Sequence, residues 1–468
     1  MSSRRELLTL CLFGLMIAAI AATGIGVRAT HGAQTTADEP QYLLSALSLW
    51  EDGDLDISDE LSDERYRDFH EVELPEQTLL DEDGRRISPH DPLLPVLLAV
   101  PMGLWGWVGA KATLAAVGGL LAALIVWTAR TRLGVSSRVA YLTAALFALA
   151  PPLAIYSSQV YPEIPAALAL LGGFAAVLGP FEKRGRIVFA VAVIALPWLA
   201  VKYVPLAAVL AVFGLVRAGR GRRLGLLLTF AVGGAVYVVG HQLLYGGLTA
   251  YAAGDHFVGG EFTAVGSDVN LPGRATRLIG LLVDRGFGIA AWQPAYLLLP
   301  PVTGWALARR RRDFVFAGWL VGAGWLMATF VALTMHGWWF PGRQLVVILP
   351  LAVLVVSAWA DEARRRRTLI GLGSLGVVAL VFLLVEGLRE QLTWVVDFGA
   401  TSNPIYRSFS MVLPDYMAPS PITWALHGLW LVVVLALWWL AWRSGSDRRH
   451  EPRSSDNDDK ASQERAMT

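Results

Sequence analysis

The stretch PLLPVLLAVPMGLWGWV, residues 92–108, decides how this chain is arranged. It is apolar enough to lie in lipid, yet it contains Pro92, Pro95 and Pro101 and is glycine-rich near its end. Proline removes a backbone donor and interrupts the internal hydrogen bonding that a spanning helix needs. The segment is therefore expected not to cross the bilayer but to form a re-entrant or juxtamembrane element on its outer surface. Charge supplies a separate argument, because Lys and Arg near span ends favour the cytoplasmic side. Arg4 and Arg5 precede the first apolar run. If 92–108 does not cross, the basic clusters at 130–138, 182–186, 217–223, 309–312 and 361–367 all fall on the side of the N-terminus, as do Arg443, Arg448 and Arg449. If it crossed, every one of them would lie outside.

Composition sets the class. The chain has 468 residues, of which 55% are hydrophobic and 16% charged, against about 25% charged in soluble globular proteins. One soluble core cannot hide that much apolar surface. A cytosolic enzyme, a disordered chain and a fibrous repeat are excluded. No nucleic-acid partner is expected, and the lipid bilayer is one. Apolar runs of about 17–25 residues read as spans. They cover roughly 7–25, 111–129, 138–155, 161–180, 187–201, 204–217, 224–245, 289–308, 314–334, 343–359, 368–386 and 424–442. The expected fold is an all-α polytopic helical bundle of about twelve transmembrane helices, with the first retained as an anchor. Residues 1–442 form the membrane domain, and 443–468 are expected to be a disordered cytoplasmic tail. Cys11 is the only cysteine, so no intramolecular disulfide exists.

The formal net charge of +1 hides a segregation of sign. Loop 26–91 carries 18 acidic residues and five Arg. The other large outer loops are 246–288 and 387–423.

Several polar groups on the outer side are candidates for chemistry. Asp38 and Glu39 precede Pro40, which suits the first turn of a helix. A short helix over 41–50 would lay Tyr42, Leu43, Leu44, Leu47 and Trp50 on the membrane surface. The acidic pair can orient a nucleophile or hold a divalent cation, or it can simply cap that helix. His90 and Asp91 stand between prolines where the loop returns to the membrane. They suit an anionic headgroup or a catalytic contact, with an N-cap as the plainer role for Asp91. Lys202, beside Tyr203, is a cation on the side where cations are otherwise scarce. A phosphate partner would explain it, and so would snorkelling to headgroups. Arg343 is the second such cation and follows Trp338 and Trp339, which suit interfacial anchoring or a sugar face. Glu163 opens the fourth span. Arg285 stands beside Asp284, with which it can pair. In the loops, Tyr245, His256 and Glu261 are plausible acceptor contacts, and Asp397, Asn403, Tyr406, Arg407, Asp415 and Tyr416 are candidates to hold the acceptor.

These motifs together resemble the GT-C superfamily of membrane glycosyltransferases, which use polyprenyl-phosphate-linked sugars. The chain is especially similar to bacterial relatives of dolichyl-phosphate-mannose protein mannosyltransferases and aminoarabinose transferases. The matching pieces are Asp38-Glu39, His90-Asp91-Pro92, Tyr161-Pro162-Glu163, the stretch ending Lys202-Tyr203, Asp284 to Gly288 with Trp292 and Pro294, and Trp338 to Arg343. They cover roughly residues 1–360. The resemblance implies an inverting transfer (EC 2.4 class) at the outer face of a bacterial plasma membrane, with both termini cytoplasmic. It implies Asp38 as catalytic base, assisted by Glu39. His90, Asp91, Glu163, Lys202, Tyr203, Arg285, Trp338, Trp339 and Arg343 would bind substrate. Asp38, Glu39 and Glu163 are the candidates for a divalent cation (Mg or Mn), and no other cofactor is expected. The polar tail after residue 442 is not expected to form a folded outer domain, which sets a glycolipid or cell-wall glycan acceptor beside a protein one. The competing reading is a polytopic transporter or flippase for a lipid-linked or polar substrate. The scarcity of charge within the spans argues against it.

Overall fold

The structure is a computed structural model and describes residues 2–255 and 269–447. His256, Glu261 and the tail from 448 on lie outside the described residues. Among the described residues the longer helices, in chain order, are α1 (Ser2–Ala22), α2 (Glu39–Glu51), α3 (Leu93–Arg132), α4 (Ser137–Ala148), α5 (Glu163–Leu178), α6 (Lys183–Leu199) and α7 (Val204–Arg217). They continue with α8 (Arg220–Tyr245), α9 (Leu299–Arg309), α10 (Arg312–Leu326), α11 (Leu349–Glu362), α12 (Arg366–Leu388) and α13 (Pro421–Asp447).

Residues 93–108 are helical apart from Gly106. They open α3, which runs for 40 residues. A straight helix of that length would measure about 60 Å, twice the thickness of a hydrocarbon core. It is not straight, because Gly106 breaks it with a φ of 61°, a region that glycine enters at no steric cost. The piece before the break packs on α2, where the Trp50 ring lies against Gly103. The piece after it is long enough to cross a bilayer. The expected cause of interruption is therefore corrected. Pro92 is the N-cap, Pro95 lies in the first turn and the helix continues through Pro101. Glycine divides the segment, not proline.

Among the described residues six helices are long and apolar enough to cross a membrane: Arg4–Gly26, Leu93–Arg132, Arg220–Ala253, Arg312–Val331, Arg366–Leu388 and Pro421–Gly445. The runs at 138–155, 161–180, 187–201, 204–217, 289–308 and 343–359 hold helices of 17 residues or fewer. Their interruptions follow the sequence. Pro151 and Pro152 separate α4 from the turn Leu153–Tyr156. A 3-10 turn at Pro294–Leu298 precedes α9, and another at Arg343–Leu345 precedes α11.

The surface role expected for α2 is also corrected. Tyr42, Leu43, Leu44 and Leu47 are buried in the main core, and of the five expected apolar contacts only Trp50 is exposed. The helix is thus a protein-packed element, able to hold its N-terminal residues in place.

Sign segregates along the bundle. At one end Arg130 meets Glu6, Ser136 meets Asp361, and Arg311 pairs with Glu362 and reaches the Leu133 carbonyl. Helix α5 ends at this side, where Arg132 donates to the Ala175 carbonyl. It begins with Glu163 at the opposite end.

Candidate functional site

Glu163 begins the site. It stands in the first turn of α5, where the exposed N–H groups of a helix favour an anionic side chain. Its Oε1 accepts from Lys202 Nζ at 2.8 Å and from Arg343 Nε at 3.1 Å. Arg343 also donates through Nη2 to Asp38 in a short ion pair. Four residues from four distant parts of the chain thus form one alternating chain of charge, Lys202–Glu163–Arg343–Asp38. Neither cation is alone, and snorkelling does not describe Lys202.

Local backbone delivers these groups. Asp38 precedes α2, but its side chain makes no capping bond and turns to Arg343 instead. Ala37 just before it has a φ of 50°. Arg343 likewise follows a left-handed residue, Gly342, with a φ of 87°. A Cβ on Gly342 would stand 2.8 Å from the Ile289 side chain and 3.0 Å from Pro152. Both the backbone region and the space require glycine. Replacing Gly342 by Ala should lower the melting temperature and misplace Arg343. Thermal unfolding in detergent checks this, and an unchanged melting curve would count against it.

Arg343 is held by its aromatic surroundings as well. Its guanidinium carbon lies 4.0 Å from the Tyr161 ring centre and 5.1 Å from that of Trp339. Arg343 and Glu163 side chains are 6% and 2% exposed, whereas Asp38 and Lys202 are each 26% exposed. The two ends of the charge chain therefore face solvent. Burial pushes the Asp38 carboxyl toward protonation, but Arg343 foremost, with Lys202 adding to it, outweighs it and holds the group well below the usual carboxylate range.

The remaining candidates divide. His90 stacks on Tyr42 with ring centres 4.7 Å apart, and its buried Nε2 has no hydrogen-bond partner. Burial holds its imidazole in the neutral form more firmly than usual. Tyr203 is buried with its hydroxyl unpartnered, and Lys202 lies 5.3 Å from its ring. Trp339 joins the site through Arg343, but Trp338 is 63% exposed and among the described contacts makes none with it. Glu39 points elsewhere. It accepts from Thr36 N at 3.0 Å and Val160 N at 2.7 Å, so it ties the loop to the start of α5.

Asp91 is not the cap of α3, a position taken by Pro92. It is buried and accepts from Val201 N, Tyr237 Oη and His241 Nε2 at 2.9, 3.2 and 2.9 Å. It pins the returning loop to α8 and to the turn that carries Lys202. Removing one partner strands buried polar groups at a cost of about 1–3 kcal/mol. Asp91→Ala and His241→Ala should each destabilise the protein by that amount, and the double variant should cost less than their sum. Additive losses in denaturation would deny the coupling.

Arg285 does not pair with Asp284. It binds Asp415 at 3.3 Å and the carbonyls of Ser410 and Leu413. Asp284 caps the turn at Gly286 and Phe287 and accepts from Tyr416 N. The acceptor candidates of loop 387–423 mostly build the loop itself. Asn403 caps the helix Pro404–Ser410, Tyr406 stacks on Trp292 and Arg407 binds the Thr401 carbonyl. Tyr245 bonds the His90 carbonyl.

The candidate metal ligands do not suit a divalent cation. Asp38 faces Arg343, Glu163 faces two cations, and both Glu39 oxygens accept backbone N–H groups.

Two buried groups escaped the sequence reading. Lys111 opens the apolar run at 111, is 1% exposed, and donates from Nζ to the Gln34 carbonyl at 2.6 Å. His241, near the end of an apolar run, is the partner of Asp91. A charged or ionisable residue inside an apolar run was the available signal in both cases.

Comparison with known proteins bears on the fold. The chain is similar to ArnT from Cupriavidus metallidurans bound to undecaprenyl phosphate, with a TM-score of 0.52 and 17% identity over 92% of this chain and 75% of that one. It is similar to the apo state of that protein, with a TM-score of 0.51, 17% identity and coverage of 92% and 74%. The expected resemblance to aminoarabinose transferases is thus present in the fold. No protein-family model matches the sequence, and no curated protein matches it.

Proposed function

We propose that this chain is an inverting glycosyltransferase that moves a sugar from a polyprenyl-phosphate donor to a hydroxyl acceptor. The observation that carries the reading is the charge chain Lys202–Glu163–Arg343–Asp38, with its two ends open to solvent. The ArnT-like fold supports it, as does the undecaprenyl phosphate bound in that neighbour.

The chemistry follows from the charges. The donor's phosphate takes Arg343 and Lys202 as partners, since Arg matches phosphate oxygens through paired N–H groups. Glu163 orients both cations toward it. Once Arg343 turns to the phosphate, Asp38 loses the charge that holds its proton affinity down, and burial then raises that affinity. The acceptor hydroxyl attacks the anomeric carbon, and its proton passes to Asp38. The new glycosidic C–O bond forms as the bond to the phosphate oxygen breaks. The electron pair leaves on a phosphate that the two cations stabilise, so no general acid is needed. Neutral His90 and the Tyr203 hydroxyl supply unused hydrogen-bonding atoms beside this path.

The wider reading places the enzyme in a bacterial plasma membrane. It has about twelve crossings, a membrane domain over 1–442 and both termini in the cytoplasm, and its site faces outward. The acceptor is a glycolipid, a cell-wall glycan or a protein. Membranes containing the chain are tested with labelled polyprenyl-phosphate sugars. Label should move to an acceptor fraction and free polyprenyl phosphate should be released. Movement of intact labelled donor across the bilayer without release would favour a flippase instead.

A further inference from the structure

Away from this site, the far end of α2 carries three acids. The nearest carboxylate oxygens of Asp52, Asp59 and Glu60 all lie within 4.8 Å of one another. Asp52 follows α2, and the other two belong to the short helix Ser58–Ser62. Asp52 and Asp59 are exposed, as solvated acids usually are. Glu60 is different. It is 1% exposed, neither of its carboxylate oxygens receives a hydrogen bond from another residue's N–H, and the Asp59 carboxyl beside it is a like charge. A carboxylate withdrawn from water is costly without a partner. The nearby guanidinium does not supply one, since Arg65 spends both terminal nitrogens on Glu51 at 2.9 Å each.

We propose that Asp52, Asp59 and Glu60 form a calcium-type divalent cation site that clasps the end of α2 to the helix Ser58–Ser62. Calcium takes carboxylate oxygens at about 2.3–2.6 Å, so two oxygens on one ion stand no more than about 5 Å apart. The observed cluster lies close to that limit, and a small inward turn of the exposed Asp52 and Asp59 side chains brings one oxygen of each acid onto a single ion. Three carboxylates match the hard, all-oxygen preference of the ion, and the two exposed acids leave room for its waters. The ion gives Glu60 the partner it lacks, and its placement at the far end of α2 makes its role structural.

The test uses the full chain in detergent, stripped with chelator and titrated with calcium chloride. One saturable calcium per chain is expected, with a dissociation constant on the order of 10⁻⁵–10⁻³ M and a melting temperature that rises by several degrees as the site fills. Glu60→Gln should weaken binding at least about tenfold, equivalent to about 1.4 kcal/mol. Asp59→Asn, at an exposed position, should weaken it similarly and keeps the test valid where Glu60→Gln does not fold. Asp83→Asn should leave binding unchanged. Absence of saturable binding, tighter binding of magnesium than calcium, or wild-type affinity in folded Asp59→Asn and Glu60→Gln would each overturn the proposal. These readouts do not depend on glycosyl transfer.

Discussion

Asp38→Asn is expected to cut transfer by about 10²–10⁴-fold, the range contributed by a positioned general base. The substitution keeps the shape of the side chain and an oxygen that can accept from Arg343. It removes the ability to take the acceptor's proton. Arg343 retains its bond to Glu163 at 3.1 Å, so the protein should fold with nearly its original melting temperature. The loss should appear in kcat and not in donor binding, because Arg343 and Lys202 remain to hold the phosphate. The check is a transfer assay in membranes with labelled polyprenyl-phosphate sugar, beside thermal unfolding of the same variant. Unchanged transfer would remove Asp38 as the base.

Arg343→Gln should cost about 10²–10³-fold in kcat/KM, the scale of losing one preorganised group that stabilises developing negative charge. Much of this should appear as weaker donor binding. A second effect separates the residue's electrostatic role from a merely structural one. Burial raises the Asp38 proton affinity and Arg343 is the strongest influence against it. Removing the guanidinium lets burial prevail, so the acid limb of the pH–rate profile should move to higher pH. In the unaltered protein Asp38 is bound more favourably as a carboxylate than in the unfolded chain. It contributes stability present above the unfolded value of about 3.9 and lost as pH falls below it. The variant should lose that contribution. Arg343→Lys should rescue only part of the rate, because an ammonium cannot bridge Asp38 and Glu163 as the planar guanidinium does. A pH profile identical to that of the unaltered protein would deny the coupling.

Much of the site was legible because its residues break the local rule. Lys202 and Arg343 are cations on the acidic side, and Asp38 precedes a helix that Pro40 opens. What could not be read was their pairing. Nothing local distinguishes Asp38, which meets Arg343, from Glu39 one residue later, whose oxygens bind Thr36 and Val160. Neighbouring positions at a helix start point in different directions, and the packing of α2 decides which faces the site. For the same reason Asp91 reads as a substrate contact until His241 and Tyr237 arrive from α8.

By itself the sequence determined the membrane class, the all-helical fold and the separation of charge between the two ends, since these depend on residue type along the chain. It also marked 92–108 as a segment unlike an ordinary span. Only the tertiary structure decided how that segment is built. Prolines near a helix start are harmless because the N–H groups they lack have no partner there, while Gly106 can enter a φ of 61° and redirect the chain. The packing that this break permits, with Trp50 on Gly103, sets α2 in the core. From that position Asp38 reaches an arginine 305 residues away.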